Sequence, residues 1–173
     1  SAIAKGEPDQ LQDFLDHIDY SKLNTHNLLL IDAFDARKLM YEGKPEEIID
    51  LPSKGNPFIK FYQGNAYFNQ GNNQKAIDLN IEASKLFSYY NDTVYIASCN
   101  NNIGAVHWHL NNLDSALYYF QSAKSYSYWH NEMLENNILA ISNVLQNEKL
   151  SRQQIATIRA KSDGTPSPYF LNN

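Results

Sequence analysis

The residues best suited to hold a metal are His107 and His109, which flank Trp108. On a strand the two imidazoles would share a face, but in a helix residues two apart point ~200° apart around the axis and cannot converge on one ion. The other three histidines offer no histidine or carboxylate set at helical spacing that makes a metal site. Cys99 is the only cysteine, which excludes a disulfide framework and every multi-cysteine zinc or iron–sulfur site. It stands beside Asn100 with no base to activate it, and reads as a small buried residue. Glu46, Glu47 and Asp50 cluster carboxylates next to Ile48, Ile49 and Leu51, the pattern of a solvated helix face. Phosphate-cradling glycine loops, dinucleotide fingerprints and nucleophile elbows are absent from the sequence. The expectation is a chain with no catalytic residue, no metal and no cofactor, not an enzyme.

Amides carry a different chemistry. The chain has 21 asparagines and 12 tyrosines, while charged residues make up 19% against ~25% in an average domain. An asparagine side chain offers one acceptor and two donors, matching the C=O and N–H of an extended peptide backbone. The 173 residues make one domain, with a net charge of −5. The few basic residues are scattered, so nucleic acid is not an expected partner. Apolar runs such as Leu28 to Ile31 are far short of the ~18 residues of a membrane span, and a soluble chain without membrane insertion is expected. It begins Ser1-Ala2-Ile3 without an initiator methionine, which leaves cytoplasm and periplasm both open.

The elements that must position these side chains are visible as a repeat. Gly64-Asn65-Ala66-Tyr67, then Ala76 and Ala83, recurs forty residues later as Gly104-Ala105-Val106-His107, then Ala116 and Ala123. Each copy places a polar turn between two segments of helical period, Asn69 to Asn73 and then Asn111-Asn112. The unit is helix, turn, helix. Two antiparallel helices approach closely only where a side chain is missing, so the glycine of the first helix and the alanines of the second mark the crossing.

These residues resemble the tetratricopeptide repeat, whose pattern is W-x2-L-G-x2-Y, A-x3-F, an alanine and a proline. Gly64, Tyr67, Ala76 and Ala83 match it in one copy, and Gly104, Ala116, Phe120 and Ala123 in the next. Lys60 and Asn100 stand in the tryptophan place, His107 in the tyrosine place, Asn80 in the phenylalanine place, and Ser88 and Tyr128 in the proline places. The period of 40 is longer than the usual 34 and resembles the bacterial variety of peptide-sensing regulators and sensors. The resemblance implies an all-α fold, a short right-handed solenoid of about eight or nine helices in antiparallel pairs.

Two weaker copies flank the clear ones. Ala36-Arg37-Lys38-Leu39, Gly43 and Ile48 to Leu51 parallel Gly64 to Leu79 at a spacing of 28, with Pro52 cutting the second helix short. Asn136 to Ala140 echo Asn101 to Ala105 at a spacing of 35, with Leu139 in the glycine place, as in a closing unit. The expected organisation is one domain: a capping helix in residues 1–26, a degenerate repeat at 27–55, repeats at 57–91 and 92–130, capping helices at 131–161 and an extended tail at 162–173. Helices are expected from about Pro8 to Ile18 and from about Ser151, as N-cap, to Lys161.

In a stacked solenoid of this kind, a second stripe on each first helix faces the concave groove. Its residues are Phe61, Tyr62, Asn65, Phe68 and Asn69; Asn101, Asn102, Ala105, Trp108 and His109; and Asn136, Asn137, Ala140, Asn143 and Val144. A row of asparagines would hold a peptide main chain, and Phe61, Phe68 and Trp108 would take its side chains. The alternative is that the asparagines bridge neighbouring helices and the aromatics are core. The carboxylate clamp of some tetratricopeptide domains is broken: Asn65 and Asn102 fall on its asparagine places, but Phe61, Met133 and Asn137 replace its basic residues. Arg37, one unit upstream in line with Asn65, supplies one charge. The reading is a non-catalytic module that binds a protein or extended peptide, in the manner of the input half of a regulator or sensor. The other reading is a structural protein whose repeats assemble on themselves, for instance as a homodimer. The apolar tail Tyr169-Phe170-Leu171 would dock on its own or a neighbouring solenoid as a ligand mimic, or pack as a cap.

Overall fold

The computed structural model describes residues 17, 19–126 and 132–161. Among them a 3-10 turn at Tyr20–Lys22 precedes eight α-helices and there is no strand: α1 Thr25–Asp32, α2 Phe34–Tyr41, α3 Pro45–Ile49, α4 Pro57–Asn69, α5 Asn73–Tyr89, α6 Thr93–His109, α7 Leu113–Tyr126 and α8 Glu132–Lys161. Consecutive helices pack on one another from α1 to α8, and the first helices of successive pairs also touch, α2 on α4 and α4 on α6. This is the all-α stack of helix pairs that the repeat implies.

The turns explain why the pairs form where they do. Gly43, Gly71, Asn91 and Asn111 all have positive φ, between 54° and 79°, the left-handed conformation that glycine and asparagine tolerate best. At each the following N–H closes back on the helix, Asn72 N to Tyr67 O at 2.9 Å and Asn112 N to His107 O at 2.8 Å, so the last carbonyls are satisfied. After Gly71 and Asn91 the next helix starts on a side-chain cap, as α1 and α4 also do. Asn24, Asn56, Asn72 and Asp92 accept from backbone N–H groups of the first turns of α1, α4, α5 and α6. Such a cap is worth about 1 kcal/mol. Part of the asparagine content is thus capping and turn chemistry.

Packing follows the small residues. Ala76, Ala83, Ala116 and Ala123 are completely buried on the second helices. A Cβ on Gly64 would land on the Asn80 side-chain amide, and one on Gly104 would lie 2.9 Å from the Phe120 ring. Two apolar clusters result, one around Phe58, Phe87, Ile96 and Cys99, the other around Phe120, Ala123, Leu134 and Ile141. The short α3, ended ahead of Pro52, is tied in by Gln63, whose amide donates to Ile48, Ile49 and Leu51 carbonyls at 3.3, 3.1 and 2.8 Å. At the N-terminal side, His26 of α1 sits between Phe58 and Tyr90, with ring centroids 5.1 and 5.0 Å away, and its Nε2 lies 2.7 Å from Asp92.

One expectation is corrected. Ser151 does not cap a separate helix, because α8 runs unbroken from Glu132 to Lys161 with Ser151 exposed in its middle. The segment contains neither glycine nor proline, so nothing in its backbone stops the helix. The helix expected from about Pro8 and the tail at 162–173 lie outside the described residues, apart from His17. Among the described residues no helix is long and apolar enough to cross a membrane.

Candidate functional site

The first helices α2, α4 and α6 lie side by side and present one shared face. At its upstream end Arg37 of α2 holds its guanidinium over the Tyr41 ring, 5.7 Å from the centroid. Partial burial works against the Arg37 charge, but its hydrogen bond to Tyr41 and the nearby Tyr62 and Tyr95 outweigh it, so the group is held charged even more firmly than usual. Tyr62 of α4 is hydrogen bonded to Tyr95 of α6, and burial pushes both phenols above their ordinary range. Phe61 packs edge-on against Tyr95 at 5.4 Å and 85°.

The middle of the face is an amide junction. Asn102 of α6 donates from Nδ2 to Asn65 Oδ1 of α4 at 2.6 Å and to Asn80 Oδ1 of α5 at 3.3 Å. Asn80, almost fully buried, in turn donates to the Ala76 carbonyl at 2.9 Å. It fills the space left by the missing Gly64 side chain, which is how an amide replaces the aromatic of the repeat pattern. Downstream, Phe68 of α4 meets His109 of α6 edge-on at 5.7 Å, and Asn69 and His109 are exposed.

The other expected residues are placed as follows. Trp108, 40% exposed, leans on Phe120 at 6.1 Å, toward its own second helix. That orientation was readable, because Trp108 stands one turn beyond Gly104, which touches the same ring. Asn101 is half-buried with its carbonyl oxygen lacking a hydrogen-bond partner. Asn136 is exposed and Asn137 half-buried on α8. His107 stacks on Tyr119 at 5.4 Å and 10°, while Tyr67 is half-buried. Sequence reasoning passed over Tyr41 and Tyr95. The signal for Tyr41 was its place four residues after Arg37 on one helix face; Tyr95 gave none, since its role depends on how α6 packs.

Candidates for other chemistry are thin. Burial pushes the Cys99 thiol well above its ordinary range, the reverse of an activated nucleophile. Among the described residues no group of three histidine, cysteine, aspartate or glutamate side chains converges on a metal position. A cavity of about 400 Å³ lies beside α1, lined by Leu29, Asp32, Asp35, Leu51, Lys54 and Ile59 among others.

Residues 59–125 match the family model for the tetratricopeptide repeat. No curated protein and no solved structure matches the chain. The matched stretch spans α4 to α7, the two helix pairs that contain Gly64, Gly104 and the whole amide junction.

Proposed function

We propose that this chain, a tetratricopeptide-repeat-like helical repeat protein of a class that mediates protein–protein interaction, holds an extended protein segment along the shared face of α2, α4 and α6. The observation that carries the reading is the continuous row across three helices: Arg37 and Tyr41, then Phe61 and Tyr95, then Asn65 and Asn102, then Phe68 and His109. The row contains one firmly charged cation, amides, phenols and aromatic rings, and no carboxylate.

That composition favours a particular kind of segment. Asn65 and Asn102 each keep hydrogen-bonding capacity beyond their mutual bond, since an amide has four positions to fill. They suit the alternating donors and acceptors of an extended main chain. The half-buried rings of Phe61 and Phe68 offer apolar contact on either side, and Arg37 attracts a carboxylate near one end. A segment with one acidic residue and one or two apolar ones is the best match.

Selection from a displayed library of random peptides tests this. Peptides that bind the wild-type chain are expected to carry an acidic residue beside apolar ones, and to lose affinity for Arg37→Glu and Asn69→Arg while binding Tyr118→Arg normally. Tyr118 is 65% exposed on α7, a second helix away from the row, which makes it a fair control. Binders equally insensitive to all three substitutions would overturn the reading.

A further inference from the structure

The cavity of about 400 Å³ beside α1 is a second concave surface, separate from the shared face of α2, α4 and α6. It reaches α4 at Ile59, and at ~100° per residue that position lies on roughly the opposite side of the helix from Phe61, Asn65 and Phe68. Its volume falls within the ~300–1,000 Å³ of pockets that take small molecules. Leu29, Leu51 and Ile59 form an apolar wall, and all three belong to the core around Phe58 and Phe87. That wall is pinned where the buried Asn56 amide donates to the Leu29 carbonyl at 2.7 Å. The pocket is therefore built into the joint between α1 and α4.

Its polar groups come in two sets. Asp32, the last residue of α1, and Asp35, in the first turn of α2, bring two carboxylates from one corner. Ser53 and Lys54 bring a hydroxyl and an ammonium from the loop ahead of α4. Among the described residues, none of these three charged side chains makes an ion pair. Asp32 also stands at the C-terminal end of α1, where the helix dipole disfavours a carboxylate and favours a cation. A positive group shared by Asp32 and Asp35 relieves that cost and their mutual repulsion together.

We propose that the cavity binds a small zwitterion with an apolar side chain, the chemistry of a free aliphatic α-amino acid. Its ammonium takes Asp32 and Asp35, its carboxylate takes Lys54 and the Ser53 hydroxyl, and its side chain lies on Leu29, Leu51 and Ile59. A simple amine would set a like charge beside Lys54, and a simple carboxylate would set one beside the two aspartates. A ligand with both charges matches the whole set, and the charge-assisted hydrogen bonds at its two ends carry the discrimination. The site leaves the shared face of α2, α4 and α6 to its own ligand.

Titration calorimetry of the full chain tests the assignment with leucine as the probe. Leucinamide lacks the carboxylate, isocaproate lacks the ammonium, and glycine lacks the apolar side chain. Leucine is expected to bind saturably, and each of the other three at least ~10-fold more weakly. Asp32→Asn with Asp35→Asn is expected to lose leucine binding by a similar factor with an unchanged far-UV spectrum, since both side chains are exposed. Lys54→Asn, which keeps a residue tolerant of the positive φ of 43° there, should weaken leucine while leaving leucinamide unaffected or tighter. Asp114→Asn, an exposed carboxylate on α7, should bind leucine as the wild type does. The absence of saturable heat from leucine, equal binding of leucinamide or glycine, or a double aspartate variant that binds normally would each overturn the proposal.

Discussion

The Asn102 side chain donates its amide to Asn65 of the preceding first helix at 2.6 Å, and the same nitrogen lies 3.3 Å from the carbonyl oxygen of Asn80 on the helix between them. One amide therefore ties three helices. The two asparagines that a carboxylate clamp would turn toward a ligand here also bind each other. The junction is part of the wall and part of the candidate binding surface at once.

A double-mutant cycle measures that tie. Asn65→Ala and Asn102→Ala are each expected to cost about 1 to 3 kcal/mol, because each leaves partly buried amide groups without a partner. Their coupling energy should be about 0.5 to 1.5 kcal/mol. Urea denaturation of the four proteins gives the number, and additive losses would mean that the bond does not form.

Gly104 sets the close crossing of α6 on α7. A methyl group there would lie 2.9 Å from two atoms of the Phe120 ring, so Gly104→Ala is expected to destabilise by about 1 to 3 kcal/mol despite alanine's better helix propensity. Phe120→Leu in the same chain should recover part of the loss, although it costs stability alone. Thermal melts of the single and double variants check the sign of that interaction.

Asp92 does two jobs with its two oxygens. Oδ1 accepts from Tyr95 N at 3.1 Å as the cap of α6, and Oδ2 holds His26 Nε2 at 2.7 Å. Removing both by Asp92→Ala should cost about 2 to 4 kcal/mol, whereas Asp92→Asn keeps the cap and costs less. No residue of α1 is fully buried. The His26 contact with Asp92 holds it, beside Leu29 and Leu30 on the core and the Asn56 amide on the Leu29 carbonyl, so amide hydrogen exchange in Thr25–Asp32 should speed up in either variant. Unchanged exchange there would show that α1 is held by other contacts.

Alkaline pH should weaken the fold by a definite route. An unfolded thiol ionises at roughly 8.5, and burial pushes the folded Cys99 thiol above its ordinary value. The stability that this raised pKa contributes is fully present below the unfolded value and is lost as pH rises above it, because only the unfolded chain then releases the proton. Tyr62 and Tyr95 act with the same sign at still higher pH, from roughly 10 upward. The difference in melting temperature between wild type and Cys99→Ala should therefore shrink between pH 8 and pH 10, and a constant difference would contradict it.

The fold was legible because its signals are local. Gly64 and Gly104, with their alanines twelve and nineteen residues on, mark helix crossings that recur at one spacing, and the turn asparagines and glycines sit where a left-handed residue is needed. The continuity of α8 was misread at Ser151, since a good cap residue is only a cap where something else ends the helix. The candidate face was legible in part. Asn65, Asn102, Phe61 and Phe68 could be placed by helical period, whereas Arg37, Tyr41, Tyr62 and Tyr95 meet only because three helices pack in one order. Asn80 was visible as a departure from the repeat pattern, but its use of the Gly64 space is a packing fact.

Photocross-linking tests the central claim most directly. Benzoylphenylalanine is placed at Phe68 on the candidate face or at Tyr118 on α7, and each chain is irradiated with a peptide selected on the wild type. The account predicts a covalent peptide adduct from position 68, suppressed by excess unlabelled peptide, and none from position 118. An adduct from position 118 with none from position 68 would place the ligand on the other side of the helix pairs and contradict the account.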